Sequence, residues 1–258
     1  MKSIAAPLCA AIFAISALPL EAQAQAQARY EGYAYAAKGN SLLYRESHWQ
    51  DGPSRIVLYR CPDGKPFARK VVTTGDQPAA PDFLTVDARD GYREGVRSEG
   101  SKHTVFYREK KSSEERSAVI DKPDNAIIDG GFDAYIVENW DAMAAGASRK
   151  VEFLIPSRLG YTSFAITRQP DGKVSGVPAR RYQLKLGAWY GFALPQIDVA
   201  YDDSNKRLLQ YTGMGNLRDN SGDNLSVRVE FPPAMQGEGA ENSIDDPNGV
   251  ALDGRCAL

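Results

Sequence analysis

The sequence predicts a mainly β protein, built as a curved antiparallel sheet or open barrel with one main α-helix covering it. Three observations predict this class. Segments with apolar and polar residues in alternation recur along most of the chain. Turn sequences such as Asp-Gly and Pro-Asp-Gly separate these segments. Only one segment has the 3.6-residue period of an amphipathic helix.

The alternating segments are rich in β-branched and aromatic residues, which favour strands. Short turns between them favour hairpins, so we predict an antiparallel meander that continues after the helix. The predicted strands cover residues 30–37, 42–50, 55–61, 67–74, 83–87, 92–97, 104–109, 118–120, 151–155, 162–167, 180–186, 197–201, 208–212 and 225–231.

One segment changes period and predicts a helix from Gly131 to Ala144. Asp129 is its expected N-cap and Gly146 its expected stop. Because its apolar stripe is large and aromatic, we expect it to pack on the sheet. The stripe consists of Phe132, Tyr135, Ile136, Trp140, Met143 and Ala144.

Residues 1–28 are predicted to be a signal peptide. Lys2 precedes an apolar run over 4–20, and residues 22–28 offer overlapping A-x-A cleavage sites. The run contains two prolines and is too short for a lasting membrane span. We therefore expect a mature chain that begins between Gln25 and Arg29, works in the periplasm or outside the cell, and has no integral membrane span.

The remaining chain divides into a single β-rich domain over 29–231 and an irregular tail over 232–258, which is rich in Gly, Asn and Asp. A formal net charge of −2 gives no basic excess. Nucleic acid is therefore excluded as the main partner, because binding to the phosphate backbone needs such an excess. The sequence leaves the oligomeric state open.

Two cysteines follow the leader, Cys61 and Cys256. An even pair in an exported chain predicts a disulfide, although two separate thiols are the alternative. No apolar group in the tail is expected to hold it by packing. The bond would then pin the tail to the first meander.

The chain carries no strong catalytic or cofactor motif. His48 and His103 have no G-x-S-x-G partner and are expected on the surface. The stretch from Asp219 to Glu230 matches a calcium loop in part, but Asn224 stands where that loop needs Gly, so a polar hairpin is preferred. We therefore predict no catalytic residue, no metal and no cofactor.

Acidic residues cluster around one predicted turn at Asp87, Asp90 and Glu94. A pair of carboxyl groups can act as general acid and base. Exposed acids at a turn would not have the shifted pKa that this chemistry needs, so solvated turn residues are the preferred interpretation.

Aromatic residues supply the candidate ligand-binding residues. Tyr135 and Trp140 lie on the predicted helix, and Trp189, Tyr190 and Phe192 lie in the loop over 187–195. A curved sheet around an aromatic helix could enclose an apolar cavity. The alternative is that the same side chains fill the core.

The order of meander, aromatic helix and returning strands, with Leu194-Pro195-Gln196-Ile197 and Tyr211-Thr212-Gly213, resembles uncharacterised exported bacterial proteins of unknown function. Over residues 130–231 the architecture also resembles the lipoprotein-carrier half-barrels, whose sheet curls around helices. The resemblance implies a fold that can hold a lipid or another apolar ligand, and it assigns no site residue.

Three functions follow as hypotheses. The leading one is a soluble periplasmic binding or carrier protein for an apolar or amphipathic ligand, such as a lipid. The others are a non-catalytic structural or interaction module of the envelope and a hydrolase that uses Asp87 and Glu94. A large cavity favours the first, a filled core with an exposed apolar patch the second, and facing buried carboxylates in a cleft the third.

Overall fold

A computed structural model describes residues 26–27, 30–186, 196–233, 243–244 and 246–258. These residues form one sheet of fifteen strands, a second sheet of two strands and one α-helix. The strands are β1 Ala26–Gln27, β2 Tyr30–Ala36, β3 Leu42–Asp51, β4 Ser54–Arg60, β5 Pro66–Thr73, β6 Asp82–Asp87, β7 Arg93–Glu99, β8 Lys102–Arg108, β9 Arg116–Asp121, β10 Ala126–Ile127, β11 Ser148–Ile155, β12 Gly160–Val174, β13 Val177–Leu186, β14 Ile197–Asp202, β15 Leu208–Arg218, β16 Asn224–Glu230 and β17 Ser243–Ile244. The helix is α1 Gly131–Glu138, and a 3-10 turn covers Pro156–Arg158.

The large sheet consists of two meanders, β2–β9 and β10–β16, joined where β16 pairs antiparallel with β2. All its pairings are antiparallel except that of β10 with β11. Strands β9 and β10 lie at opposite edges of the sheet although only residues 122–125 separate them. A chain that short spans at most about 18 Å, so the sheet must curl until its edges approach each other. This confirms the prediction of a curved, open antiparallel sheet.

The hairpin of β12 and β13 is longer than predicted. The predicted strands 162–167 and 180–186 leave residues 168–179 outside the sheet, but the pairing continues through them past an irregularity between Gln169 and Gly172. Ser175 and Gly176 close the hairpin with φ of +49° and +85°. Two successive positive φ values match the right-handed twist of the flanking strands, so the turn extends the ladder.

The helix is shorter than predicted, because α1 ends at Glu138 and turns follow over 139–142. Asp129 is not the N-cap. Gly130 occupies that position, and Asp129 has a φ of +46° and pairs with Lys70 instead. The Asn139 side-chain amide donates to the Tyr135 carbonyl and closes the last turn.

No helix among the described residues is long and apolar enough to cross a membrane.

Most of the predicted apolar stripe is buried even though the helix ends early, and Ala144 at its end is exposed. Ile136, Trp140 and Met143 pack with strand residues of β11–β14, and Tyr135 is partly buried against the same cluster. The cluster also contains Phe164, Leu184 and Val199, which line the cavity described below. The helix therefore packs on the concave face of the sheet.

The predicted disulfide joins Cys61 to Cys256, with the two Cα atoms 5.4 Å apart. The expectation that packing contributes nothing to holding the tail is wrong. Val250 and Leu252 pack on a convex-face cluster of Trp49, Ile56 and Leu58. The Gly254 amide also donates to the Pro66 carbonyl at 2.8 Å. The tail over 246–258 is irregular, and both the disulfide and these contacts hold it against the first meander.

Candidate ligand cavity

The curled sheet encloses an open cavity of about 490 Å³ on its concave face. One wall is apolar and comes mainly from α1 and from the second meander, β11 included. Because side chains alternate across a strand, every second residue of these strands points inward. The apolar lining includes Phe132, Phe153, Ile155, Phe164, Leu184, Ile197, Val199, Leu208, Val227, Val229 and Phe231.

A second wall is polar. It comes from inward positions of β3, β4, β5 and β7 and from the segment that enters α1. These positions follow the same two-residue period as the buried aromatics Tyr44 and Tyr59 beside them. The polar lining includes Glu46, His48, Arg55, Lys70, Glu94, Asp129 and Asp133.

A buried ion pair lies in this polar wall. Lys70 Nζ is 2.6 Å from Asp129 Oδ1, and the two side chains are 4% and 9% exposed. Burial alone would raise the pKa of the Asp129 carboxyl, but the Lys70 ammonium and a hydrogen bond from the Gly130 amide hold it below its usual value. Asp129 is therefore ionised at neutral pH, and its carboxylate is paired with the Lys70 side chain.

A second charged group connects the helix to the sheet. Tyr201 donates its hydroxyl hydrogen to Asp133 Oδ1 at 2.6 Å, and Arg55 Nη1 lies 3.8 Å from Asp133 Oδ2. Arg55 also donates to the Tyr30 hydroxyl at 3.4 Å. Its guanidinium lies against Gly130, where a Cβ would be only 2.0 Å from Nη2. Glycine at position 130 thus allows the arginine to reach the first turn of the helix.

His48 is buried beside the cavity. Its ring stacks on Tyr30 with centroids 4.2 Å apart, and Nε2 lies 3.1 Å from Glu46 Oε2. Burial lowers the pKa of His48 despite the neighbouring Glu46 carboxylate. The imidazole is therefore neutral at pH 7, and Nε2–H donates to Glu46 if the proton is placed on that nitrogen.

Glu94 is a polar-wall residue whose pKa is shifted towards neutrality. Its side chain is buried, and desolvation raises its pKa from 4.5 to about 7. The Tyr92 hydroxyl and the Lys70 and Arg218 cations oppose this rise, whereas Asp129 adds to it. Near neutral pH the carboxyl is partly protonated and can either donate or accept a hydrogen bond inside the cavity.

Glu94→Gln should flatten part of the pH dependence of stability. Between pH 4.5 and 7 the folded state keeps a proton that the unfolded state releases, so stability falls as pH rises through this window. The pKa shift corresponds to a loss of about 3 kcal/mol in the free energy of unfolding across this window. The Glu94→Gln variant has no carboxyl group at this position and should not show that loss. Urea denaturation of both proteins from pH 4 to 8 measures the difference, and parallel curves would contradict it.

Several predicted surface residues are buried. His48 is 6% exposed because it points into the cavity from its strand. His103 is 0% exposed, and its Nδ1 forms a hydrogen bond with the Tyr161 hydroxyl. Asp87 is 2% exposed and accepts paired hydrogen bonds from Arg89. Glu94 is buried as well. The predictions that the two histidines lie on the surface and that these two acids are solvated are therefore wrong.

Asp90 is exposed at its turn, as expected. Asp87 and Glu94 do not form a facing pair, because Asp87 is engaged by Arg89 and does not line the cavity, whereas Glu94 does.

The candidate aromatic residues have different positions. Trp140 is 3% exposed in the core beneath the helix, and neither it nor Tyr135 lines the cavity. Trp189, Tyr190 and Phe192 lie outside the described residues, so their role in ligand binding stays a prediction. The cavity aromatics that sequence reasoning did not propose as ligand-binding residues are Tyr30, Tyr44, Tyr59, Phe83, Tyr92, Tyr107, Phe132, Phe153, Phe164, Tyr211 and Phe231.

Comparison with known proteins gives a fold likeness. No protein-family model matches the chain. No curated protein matches it either. Among solved structures, the chain is similar to a β-barrel-like protein from Brucella abortus that belongs to a domain of unknown function, DUF1849, with 10% identity and a TM-score of 0.49. The match covers 80% of this chain and 97% of the Brucella chain.

Proposed function

We propose that this protein is an exported binding or carrier protein that holds an amphipathic small molecule in the concave cavity. The cavity carries this proposal. Its volume of about 490 Å³ lies within the range of small-molecule sites. Its two unlike walls match a ligand with an apolar body and a polar group.

The internal pairing of charges supports binding of an amphipathic molecule over binding of a strongly charged one inside the cavity. Lys70 is neutralised by Asp129, and Arg55 lies between Asp133 and Tyr30. Such pairs can offer hydrogen bonds to an uncharged polar group without requiring a compensating charge from the ligand. The leader sequence and the disulfide both support a compartment outside the cytoplasm.

Glu94 supports a hydrolase as the second candidate. A buried carboxyl with a pKa of about 7 in a cavity has the acidity of a general acid or base. The acidic neighbour that acts on Glu94, Asp129, is paired with Lys70 and is therefore not a free second carboxylate. An uncharged acyl ester that releases a chromophore on hydrolysis tests this candidate. Hydrolysis by the parent protein, and its loss in the Glu94→Gln variant, would support it.

Fluorescence titration with the neutral apolar probe 1-N-phenylnaphthylamine tests the binding proposal. We expect saturable binding near one probe per chain. Val227→Trp, which fills the cavity, should weaken binding at least tenfold, and Leu208→Trp should act in the same direction at a less buried lining position.

Ser226→Trp is the matched control, since it places the same side chain at the exposed neighbouring position of β16. Thermal melts identify any variant that fails to fold. Equal affinity for the parent protein and both cavity variants, with all of them folded, would place the probe elsewhere and contradict the proposal.

A further inference from the structure

We propose that the ligand is an anionic amphiphile whose acidic head group binds at an arginine rim of the cavity, formed by Arg116, Arg158 and Arg218. This inference rests on the proposed function and specifies the chemical class of its ligand. It follows from the position of these three residues, from their few acidic partners and from the apolar wall that leads to them.

The rim begins at the 3-10 turn Pro156–Arg158. Ser157 and Arg158 both line the cavity and are exposed, so this turn lies at its mouth. The turn packs against β7 and β8 of the first meander, at the place where the two halves of the curled sheet approach each other. Arg116, from edge strand β9, donates from Nη2 to the Ser157 carbonyl at 3.3 Å.

Two tyrosines continue the rim from Arg116 to Arg218. The Arg116 guanidinium lies 5.2 Å from the centre of the Tyr107 ring. The Tyr107 and Tyr92 rings are 5.7 Å apart in an edge-to-face arrangement, and Arg218 lies 5.2 Å from the centre of the Tyr92 ring. Both tyrosines line the cavity together with Arg158 and Arg218. Arg116 does not line it but lies beside the mouth, through its contacts with Ser157 and the Tyr107 ring.

The rim carries an excess of positive charge. Among the described residues, neither Arg116 nor Arg158 has a carboxylate within 4.0 Å. Arg218 Nη2 lies 3.6 Å from Glu109 Oε1, and the two side chains are 14% and 57% exposed, so Arg218 is partly compensated. An acidic group at the mouth would therefore meet two guanidinium groups without a paired carboxylate and a third that is loosely paired, and such groups bind carboxylate and phosphate through forked hydrogen bonds.

The charge distribution also sets the orientation of the ligand. Inside the cavity, the Lys70 and Arg55 cations already have Asp129 and Asp133, and Glu46 adds a carboxylate. An anion is therefore favoured at the rim and disfavoured at the polar wall. Residues Phe153, Ile155 and Pro156 lead along β11 from the apolar wall to the rim, a path that an alkyl chain with a terminal acid can follow.

Competition against bound 1-N-phenylnaphthylamine tests the inference with probes that share a twelve-carbon chain, each below its micelle concentration. Dodecanoate and dodecyl phosphate should displace the probe at concentrations at least tenfold lower than dodecanol or dodecyltrimethylammonium do. The first two probes separate a carboxylate ligand from a phosphate ligand. Added salt should weaken only the anionic competitors.

Arg158→Glu should weaken the two anionic probes at least tenfold and leave dodecanol unchanged. Arg149→Glu is the control, since it makes the same charge change at an exposed residue of β11 that does not line the cavity. Equal competition by all four probes, with no effect of Arg158→Glu, would overturn the inference and leave the proposed function standing. No binding of 1-N-phenylnaphthylamine at all would instead count against the proposed function.

Discussion

Trp140→Ala should lower the free energy of unfolding by about 3–5 kcal/mol, the usual range when a fully buried tryptophan is truncated. Trp140 is 3% exposed, and its ring lies 6.3 Å from Tyr182 and 6.4 Å from Tyr201 between ring centres. The Arg180 guanidinium lies 4.5 Å from the tryptophan ring and donates to its backbone carbonyl. Chemical denaturation followed by far-ultraviolet circular dichroism measures the loss.

Val137→Ala is the control for this prediction, because Val137 lies on α1, three residues before Trp140, and is 41% exposed. It should change stability by less than about 0.5 kcal/mol. A loss below about 1 kcal/mol for Trp140→Ala would show that the aromatic cluster under the helix contributes little to the fold.

Lys70→Met should destabilise the protein by about 3–5 kcal/mol at pH 7, because it leaves the Asp129 carboxylate buried without its partner. The loss should shrink as the pH falls, since protonation of Asp129 removes the unpaired charge. Urea denaturation at pH 7 and pH 4 measures both effects.

The double variant Lys70→Met with Asp129→Asn should recover most of the stability. Asparagine removes the charge and tolerates the positive φ at this position. The same loss in the single and double variants would mean that the lysine stabilises the protein by packing alone, and that the ion pair has no energetic role.

The strands could be predicted from the sequence because alternation is a local signal that shows which residues share a face of each strand. The disulfide could be predicted because two cysteines after the predicted leader leave one intramolecular pairing. The helix was predicted too long because the apolar stripe continues after the hydrogen-bonded turns end. Trp140 and Met143 keep the stripe buried from non-helical backbone.

The polar wall could not be predicted because its members come from distant segments. The sequence shows Glu46 and His48 in phase with Tyr44, and Arg55 in phase with Tyr59, but it does not show which face of the sheet becomes concave. A charged residue in phase with aromatic residues on the same strand is the signal that was available. Lys70, Glu94 and Asp129 meet only after the sheet curls around them.

The pairing of β16 with β2 has a consequence for how this protein folds. Each meander can form from contacts between neighbours in the chain, and such contacts form rapidly. The seam joins Ala36 to Val227, so it closes a loop that contains nearly the whole domain. Lining residues come from both meanders, and the cavity is therefore completed only after the last long strand has been made.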